Sequence, residues 1–274
     1  MPALVRPLLV ALLLAMLGFM AAASASRTHH VRAEKTAAKP AKSSGFADPA
    51  PAPVTQPAAD VQAARPARPR STPQGFRVVR VRQGRSILIH NSVNGRPVGR
   101  LASSTEFGSP EVLSVAKRRG RWLGVTTPAI ANGKLAWIRG ESKALERDTT
   151  RWSLRADLSR RRLELRNGGK LVRAMTVAIG RPGSTTPTGR FQVTDKLSGA
   201  NYGAYYGCCI LALSGHQPHT PPGWQGGNRL AIHGTNVAAT IGKAASAGCL
   251  RAADRDLRVL MRRVPLGTPV FIRS

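Results

Sequence analysis

Acidic residues are scarce: 13 Asp plus Glu stand against 42 Lys plus Arg in 274 residues, a formal charge of +29. A surface of that kind suits a polyanionic partner. A coding bias that places arginine throughout explains the same excess, so charge alone assigns no partner. Aromatic residues are also few, at 5 %, whereas Gly and Pro number 27 and 20. That composition argues against a helical protein and for a strand-rich, loop-rich one. Cysteine occurs three times, with no Cys-x-x-Cys or His-x-x-x-His spacing. This excludes the familiar zinc patterns, and adjacent Cys208 and Cys209 would ligate one ion poorly. No glycine-rich phosphate loop or nucleotide fingerprint occurs either. No metal and no cofactor are expected.

The N-terminus has the layout of a secretory signal peptide, residues 1–25: Arg6, an apolar run of thirteen residues from Leu8 to Met20, then Ala23-Ser24-Ala25. The run is short for a bilayer core, which takes roughly 20 apolar residues. An uncleaved anchor is the alternative, and a membrane enters only in that case. An exported chain meets cell-wall polymers rather than nucleic acid, so anionic wall polymers are expected partners and nucleic acid is not. The expected location is the periplasm or cell wall.

Residues 26–75 are rich in Ala, Pro, Lys and Arg, as in Pro49-Ala50-Pro51-Ala52-Pro53. They carry too little apolar surface to fold and read as a semi-extended tether. From Phe76 the composition shifts. Short apolar alternations recur to about residue 145, separated by turns such as Asn94-Gly95 and Asn132-Gly133. A small β unit of five or six strands is expected over 76–145. Its spacing and Trp137-Ile138 resemble bacterial SH3-like modules. A plain β spacer with Trp122 and Trp137 buried is the other reading.

A second folded unit, 151–273, opens with a meander through Leu154, Leu163 and Leu165 and the alternation Met175, Val177, Ile179. Phe191–Val193 and Leu230–His233 read as further strands. A helix follows Cys249: Asp254 and Asp256 lie in its first turn, Leu257, Leu260, Met261 and Val264 fall at helical spacing, and Pro265 and Gly267 end it. Pro269–Ile272 reads as a last strand.

Three cysteines in an oxidising compartment leave at least one thiol unpaired. Adjacent cysteines join only in a strained ring, so Cys208 and Cys209 are expected as buried thiols, with a disulfide between them as the lesser reading. Cys249 then needs its own explanation. It sits in Ser246-Ala247-Gly248-Cys249-Leu250-Arg251, before the helix. Backbone N–H groups and the helix dipole there would stabilise a thiolate and hold an oxyanion. His233, at the end of a strand and followed by Gly234, is the natural base, because imidazole titrates near neutrality. His216 and His219 read as exposed loop histidines.

The run Ile232-His233-Gly234-Thr235-Asn236, then Ile241-Gly242, then Ser246-Ala247-Gly248-Cys249-Leu250-Arg251 resembles the L,D-transpeptidase (YkuD-type) catalytic domain. So do Gly180-Arg181-Pro182-Gly183 and Thr186-Pro187-Thr188-Gly189. The resemblance implies a mainly β fold, a YkuD-like β-sandwich with one helix after the nucleophile. It implies peptidoglycan stem peptides as substrate, with Cys249 carrying the acyl group as a thioester and His233 as its base. Gly248 and Cys249 would give backbone donors to the oxyanion; Ser246, Gly248 and Gly234 would support it or the loop. Arg251 would face a stem carboxylate or order the loop. Transfer to an amine gives a cross-link; transfer to water makes the enzyme an L,D-carboxypeptidase. Where the family often has histidine two residues before the cysteine, this chain has Ala247. That departure favours a third reading, a wall-binding protein that kept the fold without the activity.

Overall fold

The computed structural model describes residues 75–274. The expected signal peptide, and all but the last residue of the expected tether, lie outside them. Seven strands make the first sheet: β1 (Phe76–Val81), β2 (Ile87–His90), β3 (Pro97–Leu101), β4 (Val112–Arg119), β5 (Trp122–Val125), β6 (Ala136–Arg139) and β7 (Leu145–Thr150), in the order β3-β2-β6-β5-β4-β1-β7. Val79, Ile89, Leu113, Val125 and Ile138 fill its core. The alternation of β1 and β2 places these side chains inward.

Strand β7 is one more than the apolar pattern predicts, and it carries this sheet on to Thr150. Only Leu145 and Thr150 of β7 are buried. Its strand character comes from pairing with β1 along its whole length, Phe76 against Thr150 to Val81 against Leu145. Of the two tryptophans, Trp122 is buried and donates to Asn94 Oδ1 at 3.1 Å, while Trp137 is only half-buried.

The second lobe has β8 (Trp152–Asp157), β9 (Arg162–Asn167), β10 (Lys170–Thr176), β11 (Ile179–Gly180), β12 (Gly189–Ser198), β13 (Cys209–His216), β14 (Arg229–His233), β15 (Ala244–Ser246), β16 (Leu250–Arg251) and β17 (Pro269–Arg273). Eight of these form one sheet, β10-β9-β8-β17-β12-β13-β14-β16, and β11 pairs with β15 in a separate parallel pair. Among the described residues there is one α-helix, α1 (Asp254–Arg263). It packs on β13 and β14 through Leu257 and Leu260. Its first-turn Asp256 is clamped by Arg173, with Nε 2.8 Å from Oδ1. The architecture is mainly β.

β13 escaped the pattern for the opposite reason to β7. Seven of its eight residues are buried, so no polar alternation marks it. It lies between β12 and β14, where a strand reads as a continuous apolar run. The alternation Met175, Val177, Ile179 is divided: β10 stops at Thr176, and Ile179 turns to Lys243, whose carbonyl accepts its N–H at 3.0 Å.

The two lobes meet along a polar seam. Gln192 of β12 is fully buried; its Nε2 donates to Val112 O at 2.9 Å, and its Oε1 accepts from Ser114 N and Thr126 Oγ1. These bonds satisfy β4 backbone groups that would otherwise be buried without partners. Asn132 bonds both backbone groups of His216, and His216 Nε2 meets Pro128 O at 2.8 Å. His216 is therefore a half-buried lobe-to-lobe contact rather than an exposed loop histidine, whereas His219 is exposed.

Candidate active site

Strand β14 delivers His233 at its C-terminal end, and β16 lies parallel to it with Ile232 opposite Leu250 and His233 opposite Arg251. Cys249, one residue before β16, is thereby set beside β14, its Sγ 3.9 Å from Arg229 O. Cys249 and His233 line the same cleft, together with Tyr205, Tyr206, Trp224, Arg229 and Ala231. The cleft holds about 30 Å³, the space of a single water.

The loop before Cys249 is tied by Ser246. Its Oγ donates to Cys249 O at 2.6 Å and accepts the Gly248 N–H at 3.0 Å. Gly248 N–H thus supports the loop and is not free for an oxyanion, contrary to the sequence expectation. Gly234 is placed in the same way: its N–H donates to Cys209 O at 3.1 Å. A Cβ there would lie 2.1 Å from Asp254 Oδ1.

The helix does not address the thiol. β16 and Ala252-Ala253 intervene, and the first residue of α1, Asp254, accepts the Cys208 N–H at 3.0 Å. Part of the residue remains accessible, yet the thiol is enclosed enough for burial to push it up to about 11, against smaller opposing effects of the Ala231 backbone and Arg251. In the resting protein Cys249 is a thiol, and a base must take its proton.

His233 is 1 % exposed. Its Nδ1 lies 2.6 Å from Gly234 O, so Nδ1 carries the proton and Nε2 is left as an acceptor. Burial lowers it to about 4, with Arg251 adding to the fall and the Gly234 carbonyl opposing it. It is neutral across the physiological range rather than poised near neutrality. Tyr206 and Tyr205 pack on the ring, with centroids at 4.9 and 5.7 Å.

Arg251 is buried and stacks its guanidinium on the Tyr205 ring at 4.4 Å, with a nitrogen on the Tyr205 hydroxyl. Its backbone bonds Ala178 in both directions. These contacts fix the arginine in the site, while its buried Nε has no hydrogen-bond partner. Burial raises both tyrosine hydroxyls above their ordinary range, so they are neutral donors at the cleft wall.

Gln217 was not foreseen. It is buried, and its Nε2 lies within 3.1 Å of Ser184 O, Thr185 O and Ala247 O. Its Oε1 accepts from His219 N at 3.0 Å. One amide thus gathers the 180–189 loop, the cysteine loop and its own loop. Gly248 has φ 121°, and a Cβ on it would lie 1.9 Å from Gln217 Nε2. No spacing announces such a residue. Tyr205 and Tyr206 did leave a signal, being two of only three tyrosines in the chain.

Cys208 and Cys209 form a disulfide with each other, which corrects the expectation of two buried thiols. Each is held by its backbone: Gly199 N–H donates to Cys208 O, and Asp254 and Gly234 bracket the pair. Ring closure is thus accommodated at a turn that its neighbours fix on both sides.

Residues 151–272 match the family profile "YkuD: L,D-transpeptidase catalytic domain". The YkuD protein of Bacillus licheniformis is 35 % identical over 127 residues, 46 % of this chain and 67 % of that protein. The chain belongs to the YkuD L,D-transpeptidase catalytic domain family. The Bacillus subtilis YkuD is 32 % identical over 126 residues, 45 % of this chain and 67 % of that one. Among solved structures, an L,D-transpeptidase from Mycobacterium smegmatis overlaps with 16 % identity and a TM-score of 0.35, covering 51 % of this chain and 73 % of that one. At that level the overlap adds nothing to the assignment, which the YkuD sequences carry.

Proposed function

We propose that this YkuD-family chain is an exported cysteine-dependent L,D-transpeptidase that cross-links peptidoglycan stem peptides, with Cys249 as nucleophile and His233 as base. The observation that carries the proposal is the shared cleft: a free thiol and an imidazole whose Nε2 is unprotonated line one narrow space. His233 Nε2 takes the Cys249 proton as the sulfur attacks the carbonyl of the third stem residue. The C–N bond to the terminal D-alanine breaks, and the departing amine takes the proton from His233. The stem is left as a thioester on Cys249. An amine of a second stem then attacks, forming a new amide and returning the thiol. With water in its place the product is a shortened stem, the carboxypeptidase outcome.

His233 is unprotonated and so free to accept, but at about 4 it is a weak base for a thiol held near 11, so proton transfer has to accompany attack on the carbonyl; Arg251, stacked on Tyr205, keeps the tyrosine wall in register against the imidazole. Residues 1–25 would be the signal peptide and 26–75 a tether through the wall, where the basic surface meets anionic polymers. The 76–145 unit and the 151–273 domain are then an accessory β module and the catalytic domain.

A second reading, a wall-binding protein without activity, is favoured by the small cleft and the raised thiol. Intact mass after incubation of the mature protein with a carbapenem separates the two. An adduct that is lost in Cys249→Ala supports the enzyme. No adduct on the parent protein sinks it.

A further inference from the structure

The first lobe holds a cleft of about 530 Å³, far larger than the space beside Cys249. It opens along the contiguous strands β5, β4, β1 and β7. Val79, Val115 and Leu123 contribute to its floor, and Arg77, Arg118, Arg121 and Arg147 stand around it. Val79 is opposite Arg147 and Arg77 opposite Thr149 in the β1 and β7 pairing, so these four residues share one face of the sheet and set basic side chains beside the apolar floor.

The four arginines differ from the ion-paired arginines of the catalytic lobe. There Asp157 is shared by Arg160 and Arg273, and Glu164 by Arg162 and Arg166. Among the described residues no carboxylate lies within 4.0 Å of Arg77, Arg118, Arg121 or Arg147, although Glu141 and Asp148 also line the cleft. Two of the four are held by backbone carbonyls: Arg118 Nε donates to Gly120 O at 3.0 Å, and Arg147 donates to Gly140 O. These contacts restrain the guanidiniums before any ligand arrives, which lowers the entropy lost on binding.

We propose that this cleft is a binding site for a short peptide bearing two or more carboxylates, with aliphatic side chains on the floor and the carboxylates on the arginine rim. Guanidinium pairs with carboxylate through two parallel hydrogen bonds. The volume is that of a ligand of a few residues. A long phosphate polymer would meet the charge but gain nothing from the apolar floor. The identification of such a peptide with a wall stem rests on the function proposed above. The carboxylate-peptide chemistry stands on the cleft itself.

The test is calorimetric titration of the full mature chain, in its Cys249→Ala form and with the carbapenem-treated parent protein in parallel. The probes are a synthetic tetrapeptide stem with free carboxylates, the same peptide with its carboxylates amidated, and inorganic polyphosphate. Saturable binding of the free-carboxylate peptide is expected, weakened roughly tenfold or more by amidation and by Arg77→Ala with Arg121→Ala. Both arginines are exposed, so folding should survive; Arg77→Lys with Arg121→Lys, which keeps the charge but loses the fork, should weaken binding to an intermediate degree. Equal affinity for the amidated peptide, no saturation, or an unchanged double variant overturns the site. Polyphosphate that binds more tightly than the peptide overturns the peptide assignment. Failure of the parent protein to form a carbapenem adduct, with peptide binding intact, refutes the catalytic reading alone and leaves the cleft standing.

Discussion

Replacing Glu111 by glutamine should stabilise the folded chain above neutrality and leave it nearly unchanged near pH 4. Glu111 is 5 % exposed at the seam between the lobes, and its Oε1 has no partner. Asp195, fully buried, presents a second unpartnered oxygen nearby, while its Oδ1 takes the Thr105 hydroxyl. Arg229 is the compensating cation, but Glu106 already shares it. Burial, with Asp195 reinforcing it and Arg229 opposing it, pushes Glu111 up to about 7 from an ordinary 4.5.

Between those two values the folded chain keeps a proton that the unfolded chain has released. Stability therefore falls as pH rises through this window, and the loss is complete above 7. At 1.36 kcal/mol per unit the penalty is about 3 kcal/mol, worth several degrees in Tm for a folded region of this size. Glutamine cannot ionise and can still donate a hydrogen bond. Thermal melts of parent and variant at pH 4, 5.5, 7 and 8.5 should show a difference that grows across the first three and then levels. A Tm difference that is the same at all four pH values would refute the reasoning, because it would leave no protonation of Glu111 coupled to folding.

Three further outcomes follow from the site. Alkylation of the unfolded, unreduced protein should label one thiol, Cys249, and after reduction all three cysteines; mass spectrometry reads the count directly. Gln217→Ala removes the amide that gathers three loops, and should lower stability by about 1–3 kcal/mol and slow carbapenem acylation roughly tenfold, measured by melts and timed intact mass. His233, lowered to about 4, contributes stability that is present above its unfolded value of 6.5 and is lost as pH falls towards 4; His233→Gln should flatten that acid limb in the same melts.

Much of the second lobe was legible because its strands alternate and its helix carries apolar residues at regular spacing. Helix α1 begins at Asp254 and is closed by Arg262 and Arg263 as its charges foretold. The Ser246 to Arg251 run located the cysteine loop. What escaped is what depends on distant partners. β7 is a strand by virtue of β1, β13 is hidden by its complete burial, and Gln217 acquires its role only when three loops converge. The protonation of the site was misjudged for a related reason: sequence shows an imidazole and a thiol, but burial decides where each titrates.

The pairing of Cys208 with Cys209 bears on the state of Cys249. A bridge between neighbours encloses almost no chain, so it can restrict little of the unfolded ensemble and is a weak staple. Its value lies in bookkeeping of another kind. With Cys208 and Cys209 joined to each other, Cys249 has no other cysteine of the chain with which to pair. The adjacent pair thereby quarantines the one remaining sulfur, which under the proposed function has to stay reduced.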